Sequence, residues 1–230
     1  MIVYGRNPVR EALRGPRTVS TIWATEGAAR ESWVEQAGVP LVTQRAQEIA
    51  VRAGTDAHQG ICAQVSEYRY ASDEDLLRGR RGVIVALDQV QDPQNLGSIC
   101  RSAECAGAAG VVLPERRSVE VTAAVCKASA GAVEHLPVAQ VRNLADFLLA
   151  AKDAGFWCYG ADGRAELDYL AVDLAGPVVL VMGSEGRGLR PRVAAACDAL
   201  ISLPLHGRIE SLSVGAATAV LLYAACAGRG

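Results

Sequence analysis

The sequence predicts an α/β protein built on a parallel sheet with helices on both faces, preceded by a smaller α/β unit. Three observations carry the prediction. From residue 83 onward, short apolar runs alternate with helical stretches, a rhythm that builds parallel sheets covered on both sides. Val83-Ile84-Val85-Ala86-Leu87 is apolar throughout, as a strand buried on both faces must be. Between Glu67 and Arg81 the composition turns polar, which marks a linker that has room for a short helix. The chain divides accordingly into residues 1–68, a linker over 69–81, and a larger unit over 82–230.

In the first unit, Val19 to Ala24 and Val39 to Val42 suit strands, and Gly60 to Val65 closes the unit as a third. Helices are expected over Arg30 to Ala37 and Gln44 to Ala53. Arginines and acids nearly balance here, so the unit is neither a basic arm nor an acidic tail. In the second unit, the Val83 strand leads to a helix over Leu96 to Ala106, then to a strand over Gly110 to Leu113. Asn143 is placed to cap a helix that ends before Gly155. Trp157 to Gly160 and Val178 to Met182 supply strands. Pro191 to Cys197 reads as a helix, Ala199 to Leu205 as a strand ending at Pro204, and Ser211 to Cys226 as a long apolar helix.

Composition narrows the function classes. With 5% aromatic residues, an RNA surface built mainly on stacked rings is excluded, and a net charge of -2 requires any nucleic-acid contact to be a local cationic patch. Only Lys127 and Lys152 among the 23 basic residues are lysines. The seven cysteines show no Cys-x-x-Cys spacing and are odd in number, which points to reduced thiols in a cytoplasmic protein and to no metal site. The first residues lack a signal-peptide core, and no stretch has the ~20 apolar residues of a membrane span.

Ligands of parallel sheets bind at loops beyond the carboxyl ends of the strands, and three such loops stand out. The first runs from Asp88 through Pro93, Asn95 and Gly97 to Arg101, Ser102 and Ala103. Pro93 and Gly97 shape the start of its helix, and Asn95 can bond backbone groups there. The second is Gly183-Ser184-Glu185-Gly186-Arg187-Gly188, whose glycines let a ligand approach the backbone. Its spacing fits neither the dinucleotide fingerprint nor a Walker A loop, and Glu185 could equally be a helix-capping carboxylate. The third runs from Ile201 to Ala217, with Ser211 or Ser213 opening a helix of small residues. His206 is the one histidine in these loops and reads as a surface residue. His58 and His135 are assigned no role.

Together, and in this order, the loops resemble the three motifs of the SpoU (TrmH-like) RNA ribose methyltransferases of the SPOUT superfamily. Asn95, Gly97, Arg101, Ser102 and Ala103 match the first, Gly183, Glu185 and Gly188 the second, and Ile201, Pro204, Gly207, Ser211 and Leu212 the third. Tyr4 to Leu13 and His58 to Ile61 are similar to the substrate-binding domain of members that modify a 23S rRNA guanosine. The resemblance implies a deep trefoil knot in the C-terminal part, a ribosomal-protein-like N-terminal domain, a homodimer, and S-adenosyl-L-methionine as methyl donor. It implies cofactor binding at Gly183, Ile201, Leu203, Ser211 and Leu212, and catalytic roles for Arg101, Asn95, Glu185 and Ser211. Structured RNA would meet Arg6, Arg10, Arg101 and Arg208. An always-charged arginine is a poor base, so Arg101 is expected to orient the hydroxyl and stabilise the developing alkoxide. Where the family reads Ser-Leu-Asn, this chain has Ser211-Leu212-Ser213, with Gly215 where serine is common. A non-catalytic RNA-binding homologue is the alternative from another class. Within enzymes, tRNA or an antibiotic-resistance rRNA site are alternative substrates.

Overall fold

The computed structural model describes residues 1–78 and 82–227; the Gly79-Arg80-Arg81 end of the expected linker and the last three residues lie outside them. In chain order the strands are β1 (Ile2–Tyr4), β2 (Val19–Ala24), β3 (Leu41–Thr43), β4 (Ile61–Val65), β5 (Val83–Asp88), β6 (Gly110–Pro114), β7 (Val138–Val141), β8 (Trp157–Ala161), β9 (Val178–Gly183) and β10 (Ala199–Ile201). The helices are α1 (Arg6–Arg14), α2 (Glu26–Ala29), α3 (Ser32–Glu35), α4 (Ala46–Ala53), α5 (Asp73–Arg78), α6 (Pro93–Cys105), α7 (Ala123–Ala128), α8 (Leu144–Asp153), α9 (Pro191–Ala196) and α10 (Val214–Cys226).

Two compact units form. The first comprises Met1–Arg69 together with Glu120–His135, so a stretch from the middle of the chain packs with its N-terminal part. Its sheet has the order β1-β4-β2-β3, with β4 antiparallel to β1 and β2, and β3 parallel to β2. Helix α1 buries Pro8, Val9 and Ala12 and leaves its arginines outward. The inserted stretch is held by a buried ion pair. Arg17 Nε donates to Glu134 Oε2 at 2.8 Å, and the guanidinium also pairs with Oε1. Arg17 further donates to the Ser66 carbonyl at 3.3 Å and lies 5.6 Å from the Tyr68 ring centroid. A charge so buried is tolerated because nearly every guanidinium donor has an acceptor.

The second unit comprises Tyr70–Val119 and Leu136–Gly230. Its six strands are all parallel, in the order β10-β8-β9-β5-β6-β7. All six residues of β5 are buried, as expected for a central strand covered on both faces. One face carries Ile84, Ala86, Val112, Cys158, Val179 and Val181 against Leu144, Phe147 and Leu148 of α8 and Val193 of α9. On the other, α10 packs on α6, β9 and β5.

Several expected boundaries shift for local reasons. Asp92 accepts from Gln94 N at 2.9 Å and Pro93 occupies the first helical position, so α6 starts three residues earlier and Gly97 lies inside it. Of the expected helix over 30–37 only the single turn α3 forms, because Glu31 is extended (φ -70°, ψ 129°), and a separate turn, α2, precedes it. Strand β10 stops at Ile201, ahead of Pro204, which has no N–H for a ladder. Asn143 caps α8 by accepting from Ala145 N at 3.0 Å.

Burial governs the thiols. It pushes Cys62 and Cys126 up to about 11 and, aided by the Asp198 carboxylate, Cys158 and Cys197 up to about 12. At pH 8 these four stay protonated, and the thiol form is unreactive. Mass-mapped alkylation of the native chain at pH 8 is therefore expected to label exposed Cys105 and to spare all four until denaturant is added.

Candidate functional site

The three loops meet the carboxyl ends of β5, β9 and β10. At the end of β5 sits Asp88, fully buried. Its carboxylate accepts from Arg190 N at 2.8 Å and from Arg190 Nε at 2.7 Å. Arg190 lies two residues after Gly188, so this pair clamps the far end of the glycine-rich loop to the central strand. By sequence alone Asp88 stands only at the start of a loop. A carboxylate ending a run of five apolar residues was the signal for it.

The glycine-rich loop closes on itself. Ser184 N donates to Gly188 O at 3.2 Å, and Gly188 N returns a bond to Ser184 O at 2.9 Å. A Cβ on Gly183 would lie 2.6 Å from both the Gly188 oxygen and the Leu189 nitrogen. These are backbone atoms that cannot swing aside. Glycine at 183 is thus required by the loop's own packing, a different reason from the ligand approach that its composition suggested.

Closing the loop presents Glu185 to the start of α10. Its Oε1 accepts from Val214 N at 3.3 Å, and the Ser213 hydroxyl accepts from Ala216 N at the same distance. The capping reading of Glu185 is therefore realised, and a negative charge meets the positive end of a 13-residue helix. Ser213 rather than Ser211 opens the helix. One residue further, a Cβ on Gly215 would fall 2.5 Å from Ser98 Oγ of α6. That hydroxyl donates to Asn95 O at 3.0 Å. A chain of contacts consequently runs Asn95, Ser98, Gly215, Val214, Glu185, and joins all three loops.

The remaining expected residues are placed less tightly. Asn95 stands in the first turn of α6 and Arg101 in its third, about 9 Å further along and roughly 120° around the helix. Arg101 is exposed, and among the described residues no hydrogen bond or ion pair ties it to Asn95, Glu185 or Ser211. Ile201 is buried, while Leu203 is half-buried. Beyond the bonds of Ser202 to Leu167 and Tyr169, the stretch from 203 to 212 makes no backbone–backbone hydrogen bond among the described residues. It carries exposed Leu205, Ile209 and Leu212, with Arg208 and Ser211 outward. Arg6 pairs with Glu31 at 3.0 Å and Arg10 with Glu11 at 3.3 Å in the first unit.

These loops are those of a known family: the sequence profile described as the SpoU rRNA Methylase family matches residues 82–223. The chain belongs to the SpoU rRNA methylase family. A second profile, described as RNA 2'-O ribose methyltransferase substrate binding, matches residues 2–71. YacO of Bacillus subtilis, whose name places it among TrmH family tRNA/rRNA methyltransferases, is 38% identical over 235 residues, or 96% of this chain and 93% of YacO. The AdoMet-bound rRNA methyltransferase of Sinorhizobium meliloti superposes with a TM-score of 0.81 at 29% identity, covering 97% of this chain and 85% of that one. The A. aeolicus TrmH/SpoU tRNA modifying enzyme gives a TM-score of 0.58 at 26% identity, covering 68% of this chain and 80% of its own. Among the described residues, no helix is long and apolar enough to cross a membrane.

Within this SpoU unit, two substitutions probe the clamp and the loop. Arg190→Ala strips the buried Asp88 carboxylate of its counter-charge and is expected to cost about 3 kcal/mol in urea unfolding. Gly183→Ala forces backbone apart and is expected to cost about 2 kcal/mol, or roughly 5 °C in Tm by calorimetry.

Proposed function

We propose that this chain transfers a methyl group from S-adenosylmethionine to a ribose 2′-hydroxyl of RNA, with a 23S rRNA guanosine as the target. The observation that carries this reading is the contact chain from Asn95 to Glu185, which gathers the three SpoU loops at one end of the parallel sheet. Support for rRNA comes from coverage. The S. meliloti rRNA methyltransferase matches 97% of the chain, whereas the A. aeolicus tRNA enzyme matches 68%. The substrate-binding match over residues 2–71 is comparable in length to that difference.

The residues present fit the methyl donor. Peptide groups from 203 to 212 are not engaged with other backbone, and half-buried Leu203 with exposed Leu205 and Leu212 gives an adenine ring apolar surface. Gly183, Ile201, Leu203, Ser211 and Leu212 would hold it there. Bound S-adenosylmethionine supplies a methyl carbon that already carries a good leaving group. What the chain must add is alignment of the 2′-oxygen and stabilisation of its developing charge. Arg101 fits the second task, because its guanidinium is permanently charged, exposed and free of any carboxylate partner among the described residues. It orients the hydroxyl and the neighbouring phosphate while the hydroxyl proton leaves to solvent. Asn95 and Glu185 position the ribose and the loops, and Ser211 supports the loop from 203 to 212. Arg6, Arg10 and Arg208 contact RNA, the first two by exchanging their half-buried carboxylate partners, Glu31 and Glu11, for phosphates.

The same reading includes a deep trefoil knot. After β10 at the sheet's edge, the chain returns through residues 202–213 so that α10 packs on central β9 and β5, the kind of return that threading requires. It also includes a homodimer, supported by exposed Val220 and Tyr223 on one side of α10 and by exposed Ile209 and Leu212 before it. A cytoplasmic location accords with reduced thiols such as Cys62, Cys105, Cys126, Cys158 and Cys197.

Arg101→Ala tests the central assignment. Methyl transfer to unmodified rRNA is expected to fall at least 100-fold while calorimetric S-adenosylmethionine affinity changes less than threefold. Retained transfer would remove Arg101 from the chemistry, and loss of cofactor affinity would make its role structural.

A further inference from the structure

The first unit carries a cationic surface that reaches beyond Arg6 and Arg10. Arg6, Arg10 and Arg14 recur every four residues on α1, on the side away from buried Pro8, Val9 and Ala12. Such spacing stacks them along one helix face with a rise of ~6 Å between neighbours. Two carboxylates serve the whole stripe, and Arg6 has Glu31 at 3.0 Å. Arg10 at 3.3 Å, Arg14 at 3.1 Å and His135 Nε2 at 3.0 Å all converge on the single carboxylate of Glu11. Burial pushes that carboxyl up, but His135, Arg14 and Arg10 outweigh it and hold it below its ordinary value.

Lys127 of α7 joins the amino end of the same helix. Its Nζ donates to Gln59 Oε1 at 2.7 Å, and Gln59 Oε1 also accepts from Arg6 N at 3.1 Å. A Cβ on Gly5 would lie 2.5 Å from Lys127 Nζ, so the ammonium sits directly against the start of α1. Its partner is a neutral amide, and among the described residues no carboxylate pairs with it. Burial lowers its pKa, as it does for a cation whose charge is not balanced nearby. An ammonium with two N–H donors to spare, beside three aligned arginines of which two share Glu11 and the third pairs with Glu31, is arranged to receive phosphate oxygens.

We propose that Arg6, Arg10 and Arg14 of α1 together with Lys127 of α7 form one phosphate-contacting surface for RNA, with Lys127 supplied by the stretch 120–135. This rests on the RNA methyltransferase reading and deepens it. Residues 120–135 fall within the span matched to the methylase family, yet they pack in the unit of Met1–Arg69. Substrate binding therefore draws on a residue outside the 2–71 match.

The test is the salt dependence of RNA binding by the full chain. The probe is a fluorescein-labelled 30-nucleotide RNA hairpin with an unpaired loop, titrated by anisotropy between 50 and 300 mM KCl. Each lost phosphate contact lowers the slope of log Kd against log salt by ~0.7 to 0.9. Arg14→Gln and Lys127→Gln are each expected to do so, and the double variant by about twice as much. Lys127→Arg, which keeps the charge, should retain the wild-type slope. Arg52→Gln on α4, whose guanidinium lies over the Trp23 ring, is the control outside the stripe and should leave it unchanged. Unchanged slopes for Arg14→Gln and Lys127→Gln, or an equal fall for Arg52→Gln, would overturn the surface. A methyl-transfer assay run alongside separates the two readings. Transfer with unchanged slopes removes only the surface, and slope changes without transfer remove only the enzyme.

Discussion

A carboxylate at the end of the central strand sets the geometry of the whole site. Asp88 is the one charged residue of β5, and it is fully buried where solvent cannot compensate it. Desolvating a lone carboxylate costs several kcal/mol, so the fold must deliver a cation and a donor to that point. Arg190 delivers both, through its backbone N–H and its guanidinium. Meeting that demand fixes where the loop from 184 to 189 ends, and its paired bonds between Ser184 and Gly188 fix its shape. Glu185 then has one place to go, the first N–H of α10. The start of α10 in turn sets the end of the stretch from 203 to 212. Loop positions that look independent in the sequence are consequences of one buried charge.

The second constraint is the closeness of α6 and α10. Their contact depends on small residues at facing positions, with Gly215 leaving room for the Ser98 hydroxyl. A serine at 215 would bring a second hydroxyl to a place already filled. Gly215 and Ser98 therefore make sense as a pair, although singly each is an unremarked small residue. Because Ser98 also bonds the Asn95 carbonyl, this packing carries the first loop with it. The gap between Asn95 and Arg101 around the helix has a functional side. It leaves Arg101 outside the packed seam and exposed, where the proposed reading would have it meet the substrate.

Much of this was legible because it is local. The apolar run of β5, the Asn143 cap and the motif residues each announce themselves within a few positions. The expectation failed where a feature depends on partners far away in the chain. Nothing near residues 120–135 says that they pack with the N-terminal part; the partner that holds them, Arg17, lies 117 positions from Glu134. Short edge strands such as β7 lack the length to show a period, and β7 was not foreseen. The helix expected over 30–37 shortens to α3 because helical pattern does not register one extended residue, Glu31. Glu185 is the instructive case: composition allows a cap or a catalytic role, and only the three-dimensional position of Val214 shows that it caps, a contact that leaves the catalytic role open to test.

Ser213 shows how one substitution can be neutral for the fold and still bear on the chemistry. As an N-cap, serine is about equal to asparagine, so α10 begins as firmly with either residue. Its hydroxyl oxygen accepts from Ala216 N, and Glu185 satisfies Val214 N. The helix therefore asks nothing further of position 213. An asparagine amide would also offer two N–H donors beyond the cap, whereas the serine hydroxyl offers a single hydrogen. The difference falls wholly on whatever approaches the loop from solvent. Under the proposed reading, the charge-bearing work at the ribose would accordingly fall on Arg101, which has no carboxylate partner among the described residues, while the third loop would shape and hold the methyl donor.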